Sequence, residues 1–161
     1  MQDVEGRVAF ITGGSSGIGR GIALAFARAG MQVVLTGRRQ EHLDETLAEF
    51  AAAGLTADAL QLDVTDADAV EAAAARTVER YGRVDVLVNN AGIGLTGPVM
   101  GATATDWDWL IDVNIRGVGN GLRAFVPRIQ AGGQGGHVVT TTSMAGLLPI
   151  VAGLYLSLIH I

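Results

Sequence analysis

Three glycines in the run TGGSSGIG, Gly13, Gly17 and Gly19, stand with three residues and one residue between them, after an apolar stretch and before a segment of helical period. Backbone without Cβ atoms can turn sharply and approach another group closely, and the helix that follows presents unpaired N–H groups. That combination suits a phosphate-bearing ligand. Gly13 can take the tight turn, Gly17 leaves room for a pyrophosphate against bare backbone, and Gly19 lets the helix approach the sheet. The spacing is not G-x-G-x-x-G, but the context of strand, glycine turn and helix is that of a dinucleotide site. Taken alone, the glycines fit an ordinary strand-to-helix loop equally well.

The elements around this turn follow one rhythm. Short apolar runs alternate with longer stretches of helical period, the pattern of βαβ units in a parallel sheet covered on both faces. RVAFIT (7–12) reads as the first strand, and the helix after it sets Ile18, Ile22, Ala25 and Phe26 on one face and stops at Gly30. MQVVLTG (31–37) is a second strand, followed by a helix ended by Gly54. A third strand lies in TADALQLDV (56–64), and a third helix (66–82) has Asp66 as its N-cap. VDVLVNNAG (84–92) is a fourth strand, 103–130 one long helix, and GGHVVTTTS (135–143) a fifth strand. With right-handed crossovers, the first three strands run outward to one side and the fourth starts again on the other, so ligand should bind where the order reverses.

Composition narrows the partners. A chain of 161 residues with 49% hydrophobic content, 23 glycines and 3 prolines reads as one compact domain with no linker. A formal charge of −5 gives no basic footprint for nucleic acid or for an anionic membrane. The chain has no cysteine, and its start, MQDVEG, is acidic where a signal peptide would be basic, so a cytoplasmic protein is expected. The apolar stretch LLPIVAGLYLSLIHI contains Pro149 and is too short for a membrane helix, which needs about 20 residues. His42, His137 and His160 do not cluster, so no metal site is expected. Trp107 and Trp109 read as packing or interface residues.

Taken together, these residues resemble the classical short-chain dehydrogenases/reductases over positions 5 to 155. The turn from Thr12 to Gly19 is similar to the family's cofactor turn. The resemblance extends to Asp63-Val64, which matches the adenine contact, to NNAG at Asn89 to Gly92, to Asn114 in the following helix, and to Ser143 with Tyr155. It implies an α/β fold of Rossmann type, a doubly wound parallel sheet with helices on both faces, incomplete at its C-terminal end. It also implies a cofactor site drawn from Gly13, Ser15, Ser16, Gly17, Ile18, Gly19, Arg38, Asp63, Val64, Asn90, Ala91 and Gly92. The activity expected from it is interconversion of a carbonyl and a secondary alcohol by hydride transfer. The partner is then a small-molecule carbonyl or alcohol, and the full-length parent a homo-oligomer.

Cofactor choice turns on the end of the second strand. An acidic side chain there accepts the ribose 2′-OH of NAD, whereas arginine accommodates the 2′-phosphate of NADP. Gly37 stands where NAD-preferring members carry the acid, and Arg38 follows with its planar fork of donors. NADP(H) is therefore expected over NAD(H). Arg38 and Arg39 also fit a solvated pair at a helix start, and Ser15 and Ser16 occupy the turn position where some NADP members are basic.

Hydride transfer to a carbonyl leaves an alkoxide that must receive a proton, so such a site needs an acid and a donor to the oxygen. By resemblance, Ser143 hydrogen-bonds the substrate oxygen, Tyr155 exchanges the proton, and Asn114 holds a water in the proton relay. Each has a plain structural alternative: a strand cap, a core aromatic and a helix-kink partner. Ser143 and Tyr155 lie twelve positions apart, one fewer than the common family spacing. A phenol in water titrates near ~10, so the family places a lysine four residues after the tyrosine. That position here is Ile159.

The segment after Tyr155, LSLIHI, has no resemblance to the family's continuation and looks like the translated end of a sequencing-library adapter. Residues 1–155 are accordingly expected to be a partial NAD(P)-binding domain and 156–161 a non-native tail. The 161 residues as they stand are expected to be inactive for want of the lysine. A different class of reading, a non-catalytic NADP(H)-binding regulator or scaffold, would use the same cofactor turn without the chemistry.

Overall fold

The computed structural model describes residues 4–95, 98–146 and 155. Five strands, β1 (Val8–Ile11), β2 (Gln32–Gly37), β3 (Asp58–Gln61), β4 (Val86–Asn89) and β5 (His137–Thr140), form one parallel sheet in the order β3-β2-β1-β4-β5. Each expected strand is present, and the order reverses between β1 and β4 as the sequence rhythm predicts. Register keeps the carboxyl ends together, with Ile11 opposite both Leu35 and Val88.

Alternation along the strands divides the core into two layers. Phe10, Val34 and Leu87 face one side, where they meet α3 (Ala67–Tyr81) and α5 (Gly117–Ala131). Ala9, Ile11, Val33, Leu35, Val86 and Val88 face the other, against α1 (Gly17–Arg28) and α2 (Gln40–Ala52). Strands buried on both faces read as continuous apolar runs, and VAFI in β1 is fully buried. The Phe10 and Phe125 rings pack with centroids 4.3 Å apart, a tilted contact that ties α5 to the sheet. β5 is the outer strand, and all four of its residues are exposed.

Caps end the helices where expected. The Ala69 N–H donates to Asp66 Oδ1 at 2.9 Å at the start of α3, and Gly82 follows it at φ +73°. Gly30 and Gly54, at φ +83° and +68°, turn the chain after α1 and α2.

Two details depart from the sequence reading. The inward face of α1 carries Gly19 and Ala23, with Ile22 and Phe26 partly buried, while Ile18 is 66% exposed and Ala25 is exposed as well. Ile18 lies in the first turn, before the helix has reached the sheet, and apolar periodicity cannot register that offset. The long helix expected over 103–130 is instead α4 (Ala104–Ile111), a π-turn at Asp112–Arg116, and α5. In the π-turn the Gly117 N–H donates to the Asp112 carbonyl five residues back, which slips the helical register by one residue.

Candidate active site at the carboxyl edge of the sheet

β1 ends at Ile11, and the chain then folds back on its neighbours. The Thr12 N–H donates to the Val88 carbonyl at 3.0 Å, and the Gly14 N–H to the Thr36 carbonyl at 2.7 Å. The turn is thus stitched to both flanking strands. Gly13 sits at φ +64°, where a side chain would be strained and its Cβ would press on the Ala91 Cα at 2.9 Å. A Cβ on Gly19 would meet the Gly13 carbonyl oxygen and the Asn90 side chain. Gly19 therefore permits close approach of α1 to the turn itself and to Asn90. That refines the expected contact with the sheet.

Asn90 fastens the turn from the other side. Its Nδ2 donates to the Thr12 and Gly13 carbonyls at 3.2 Å each, and its Oδ1 accepts from the Thr141 hydroxyl at 3.1 Å. The buried Thr12 hydroxyl oxygen accepts from the Asn90 and Ala91 N–H groups at 2.9 and 3.0 Å. Side chains from the ends of β1, β4 and β5 thus hold one another at the point where strand order reverses.

Beyond these ends lies a cavity of about 530 Å³. Residues after all five strands line it: Gly13 beyond β1, Gly37 at the end of β2, Asp63 beyond β3, Asn90 beyond β4 and Thr141 beyond β5. Of the expected cofactor residues, Ser15, Ser16, Gly17, Ile18, Arg38, Val64, Ala91 and Gly92 also line it, and Gly19 lies buried behind the turn. Asp63 is held locally, its Oδ1 accepting from the Thr65 N–H at 2.9 Å and hydroxyl at 2.8 Å. Val64 is buried under α5, where a Cβ on Gly117 would come within 2.7 Å of its Cγ2.

The cavity suits an anion at one edge. α1 starts there with Ser16 as N-cap, and the Ser16 side chain makes no capping hydrogen bond, so the first-turn N–H groups face the cavity without that partner. A Cβ on Gly17, at φ +52°, would meet no protein atom within 4 Å. Open backbone, a helix N-terminus and Arg38 with Arg39 at one end fit a pyrophosphate and a charged ribose substituent.

The three residues assigned to chemistry lie outside the cavity lining. Both ends of the Asn114 amide bond to Ile93, with Oδ1 accepting from its N–H at 2.9 Å and Nδ2 donating to its carbonyl at 3.0 Å. One N–H and one lone pair of that amide remain for a further partner. The half-buried Ser143 accepts from the Ala145 N–H at 3.1 Å in a local turn. Tyr155 is half-buried, and residues 147–154 between it and Ser143 lie outside the described residues, as does the tail 156–161 with Ile159.

Five lining residues escaped the sequence reading, the apolar Leu62, Ile93 and Val113 and the polar His42 and Thr141. His42, the third residue of α2, lines the cavity with Arg38 and Arg39. Thr141 belongs to the unremarkable run TTTS and locks Asn90. The available signal was position alone: Thr141 follows directly on β5, and His42 stands in the first turn of α2, the helix that follows β2.

A doubly wound parallel sheet whose five carboxyl ends surround one cavity, edged by a glycine turn and a helix N-terminus, defines a Rossmann-type nucleotide-binding domain. The family described as short chain dehydrogenase matches residues 7–155, and the chain belongs to it. It is 41% identical over 149 residues to the C alpha-dehydrogenase of Sphingobium sp. (strain SYK-6), covering 92% of this chain and 49% of that protein. A short chain dehydrogenase/reductase from Burkholderia phymatum, solved in complex with NAD, superposes with a TM-score of 0.93 at 37% identity, covering 99% of this chain and 57% of that one. A metagenomic short-chain oxidoreductase solved in complex with NADP gives 0.84 at 40% identity, covering 91% and 66%. The chain spans about half the length of the first of these relatives.

Proposed function

We propose that this chain forms the cofactor-binding part of an NADP(H)-dependent oxidoreductase that interconverts a carbonyl and a secondary alcohol. The observation that supports this reading is the cavity lining just beyond β2, where Gly37 offers no acid, Arg38 supplies a charged fork of donors, Arg39 stands beside it paired with Glu41 at 3.2 Å, and His42 follows. Solved relatives hold NAD in one case and NADP in another, so family membership alone leaves the choice open. Arginine pairs with phosphate through charge-assisted, often bidentate hydrogen bonds that a neutral 2′-OH does not match.

Bound NADP(H) supplies or accepts the hydride. The chain's own residues do the rest. The α1 N-terminus and the open backbone at Gly17 take the pyrophosphate, and Asp63 with Val64 borders the adenine. Asn90, through Thr12 and Thr141, keeps these parts in register. Ser143 donates to the substrate oxygen, Tyr155 exchanges its proton, and Asn114 holds Ile93 in place while its free N–H is available to a relay water. The substrate is a small carbonyl compound or alcohol. Among the described residues no helix is long and apolar enough to cross a membrane.

Titrating the intact protein with NADPH and NADH tests the cofactor, and tighter binding of NADH would refute the NADP(H) reading. Ser143→Ala in the intact protein tests the chemistry. Turnover should vanish while cofactor affinity holds; unchanged turnover would remove Ser143 from the reaction, and absence of turnover in the native protein would favour a binding protein.

A further inference from the structure

Gly37, the last residue of β2, is buried, and a Cβ built on it would collide with Ser15, lying 2.8 Å from the Ser15 Cβ and closer still to its hydroxyl. The space that a side chain at position 37 would use is therefore already taken by a side chain from the glycine turn. Ser15 has little freedom to leave. Its carbonyl lies 3.1 Å from the buried Thr46 hydroxyl, which also lies 2.8 Å from the His42 carbonyl, so one side chain of α2 ties the turn to the helix that carries His42. The neighbouring Gly14 N–H is bonded to the Thr36 carbonyl at 2.7 Å, and a Cβ on Gly14 would press on the Leu35 Cβ at 2.7 Å. Ser15, Gly37, Arg38 and His42 all line the cavity.

We propose that Ser15 and Gly37 form a steric interlock that sets the cofactor specificity. Seated over Gly37, Ser15 excludes any side chain there and itself meets the 2′ position of the adenosine ribose, with Arg38 and His42 beside it. This deepens the NADP(H) reading and rests on it for the identity of the ligand. A carboxylate at position 37 and a side chain at position 15 cannot both be accommodated. Conversion to NAD(H) then requires two changes, because an acid introduced alone meets Ser15 before it can meet the ribose.

The test is a double-mutant cycle in the intact protein, reading Kd for NADPH and NADH and the melting temperature of each form. Ser15→Gly should weaken NADPH about 10-fold and leave NADH nearly unchanged, since one hydrogen bond to a charged phosphate is lost. Gly37→Asp alone should lower the melting temperature and weaken both cofactors. S15G with G37D should recover the melting temperature and bind NADH about 10-fold more tightly than G37D does, the value of one carboxylate hydrogen bond to the 2′-OH. If G37D fails to fold, Gly37→Ala carries the same Cβ, and its loss of melting temperature should be relieved by S15G. Additive effects of the two positions would overturn the interlock, as would G37D alone gaining NADH at native melting temperature. Unchanged NADPH affinity in S15G would remove Ser15 from the ribose. Native preference for NADH would refute the NADP(H) reading while leaving the coupling between positions 15 and 37 to be scored by the same cycle.

Discussion

Asn114 and Ile93 are joined by two hydrogen bonds between one side-chain amide and one backbone residue, at 2.9 and 3.0 Å. The amide completes for Ile93 what a neighbouring strand would have supplied, and Ile93 lines the cavity. Asn114 itself lies in the π-turn between α4 and α5, so the slipped helical register and the wall of the site are mechanically one unit.

Asn114→Ala should therefore act first on the cavity wall. It leaves the N–H and C=O of Ile93 without these partners, at a cost of about 1–3 kcal/mol for a partly buried group. Urea unfolding of the intact protein would measure the loss, and hydrogen exchange should show the Ile93 amide opening faster. Native exchange at Ile93 would mean that the pair contributes nothing to the wall.

A second relationship holds the opposite edge of the sheet. Asp85 is 1% exposed and accepts from the Val8 N–H at 2.9 Å, from Arg7 at 3.0 Å and from Arg83 Nε at 2.8 Å. Gln134, just before β5, accepts from both arginines at 3.1 Å. Burial alone raises this carboxyl, but the hydrogen bonds from Arg83, Val8 and Arg7 outweigh it and hold Asp85 below its ordinary value. With the folded value depressed, its contribution is fully present above the unfolded carboxylate value of about 3.9 and is lost as pH falls through the folded one. Asp85→Ala should cost about 3–5 kcal/mol at neutral pH, because two arginines lose a buried partner. Stability measured from pH 6 down to pH 2 should fall less steeply in D85A; an unchanged slope would place the acid sensitivity elsewhere.

Much of this fold is legible in sequence because burial on both faces writes itself as apolar runs. VAFI, QVVLTG and VLVN could be little else, and Asp66, Gly30, Gly54 and Gly82 mark helix ends by their local chemistry. The glycine turn is legible because Gly13 and Gly19 answer to constraints that a side chain cannot meet, a positive φ at Gly13 and a close approach at Gly19. What escapes is relational. The π-turn comes from ordinary helix-forming residues, and its partner Ile93 is 21 positions away. Ser15 over Gly37 pairs a residue of the glycine turn with the last residue of β2, and neither reveals the other. His42 enters the site only because α2 begins at the cavity rim.

Arg38 provides the most direct check on cofactor choice. It is exposed at the cavity end, and its carbonyl accepts from Gln61 Nε2 at 2.9 Å, which fixes the backbone beneath its side chain. Arg38→Gln keeps that backbone bond and removes the charged fork. NADPH should bind about 10- to 100-fold more weakly, the range for one or two hydrogen bonds to a charged phosphate, with NADH little changed. Raising salt should weaken NADPH in the native protein more than in R38Q. Equal losses for both cofactors would place Arg38 on a part that the two share.

Gly17 and Gly19 separate two uses of glycine within one turn. A methyl on Gly17 meets no protein atom within 4 Å, so its structural cost is limited to about 1–2 kcal/mol for a side chain at φ +52°. Gly17 also lines the cavity, where added bulk competes with a pyrophosphate. A methyl on Gly19 meets the Gly13 carbonyl, with the Gly13 carbonyl carbon at 2.9 Å, and backbone cannot rotate aside as a side chain can. Gly17→Ala should thus lose cofactor affinity with a modest drop in stability. Gly19→Ala should lose about 3 kcal/mol or more, the upper range for overpacking, together with affinity. Thermal melts with and without NADPH would separate the two: added cofactor should raise the melting temperature of the native protein strongly and that of G17A little. A G19A protein with native melting temperature would show that α1 does not need to approach the turn so closely, and the glycine would then serve the ligand alone.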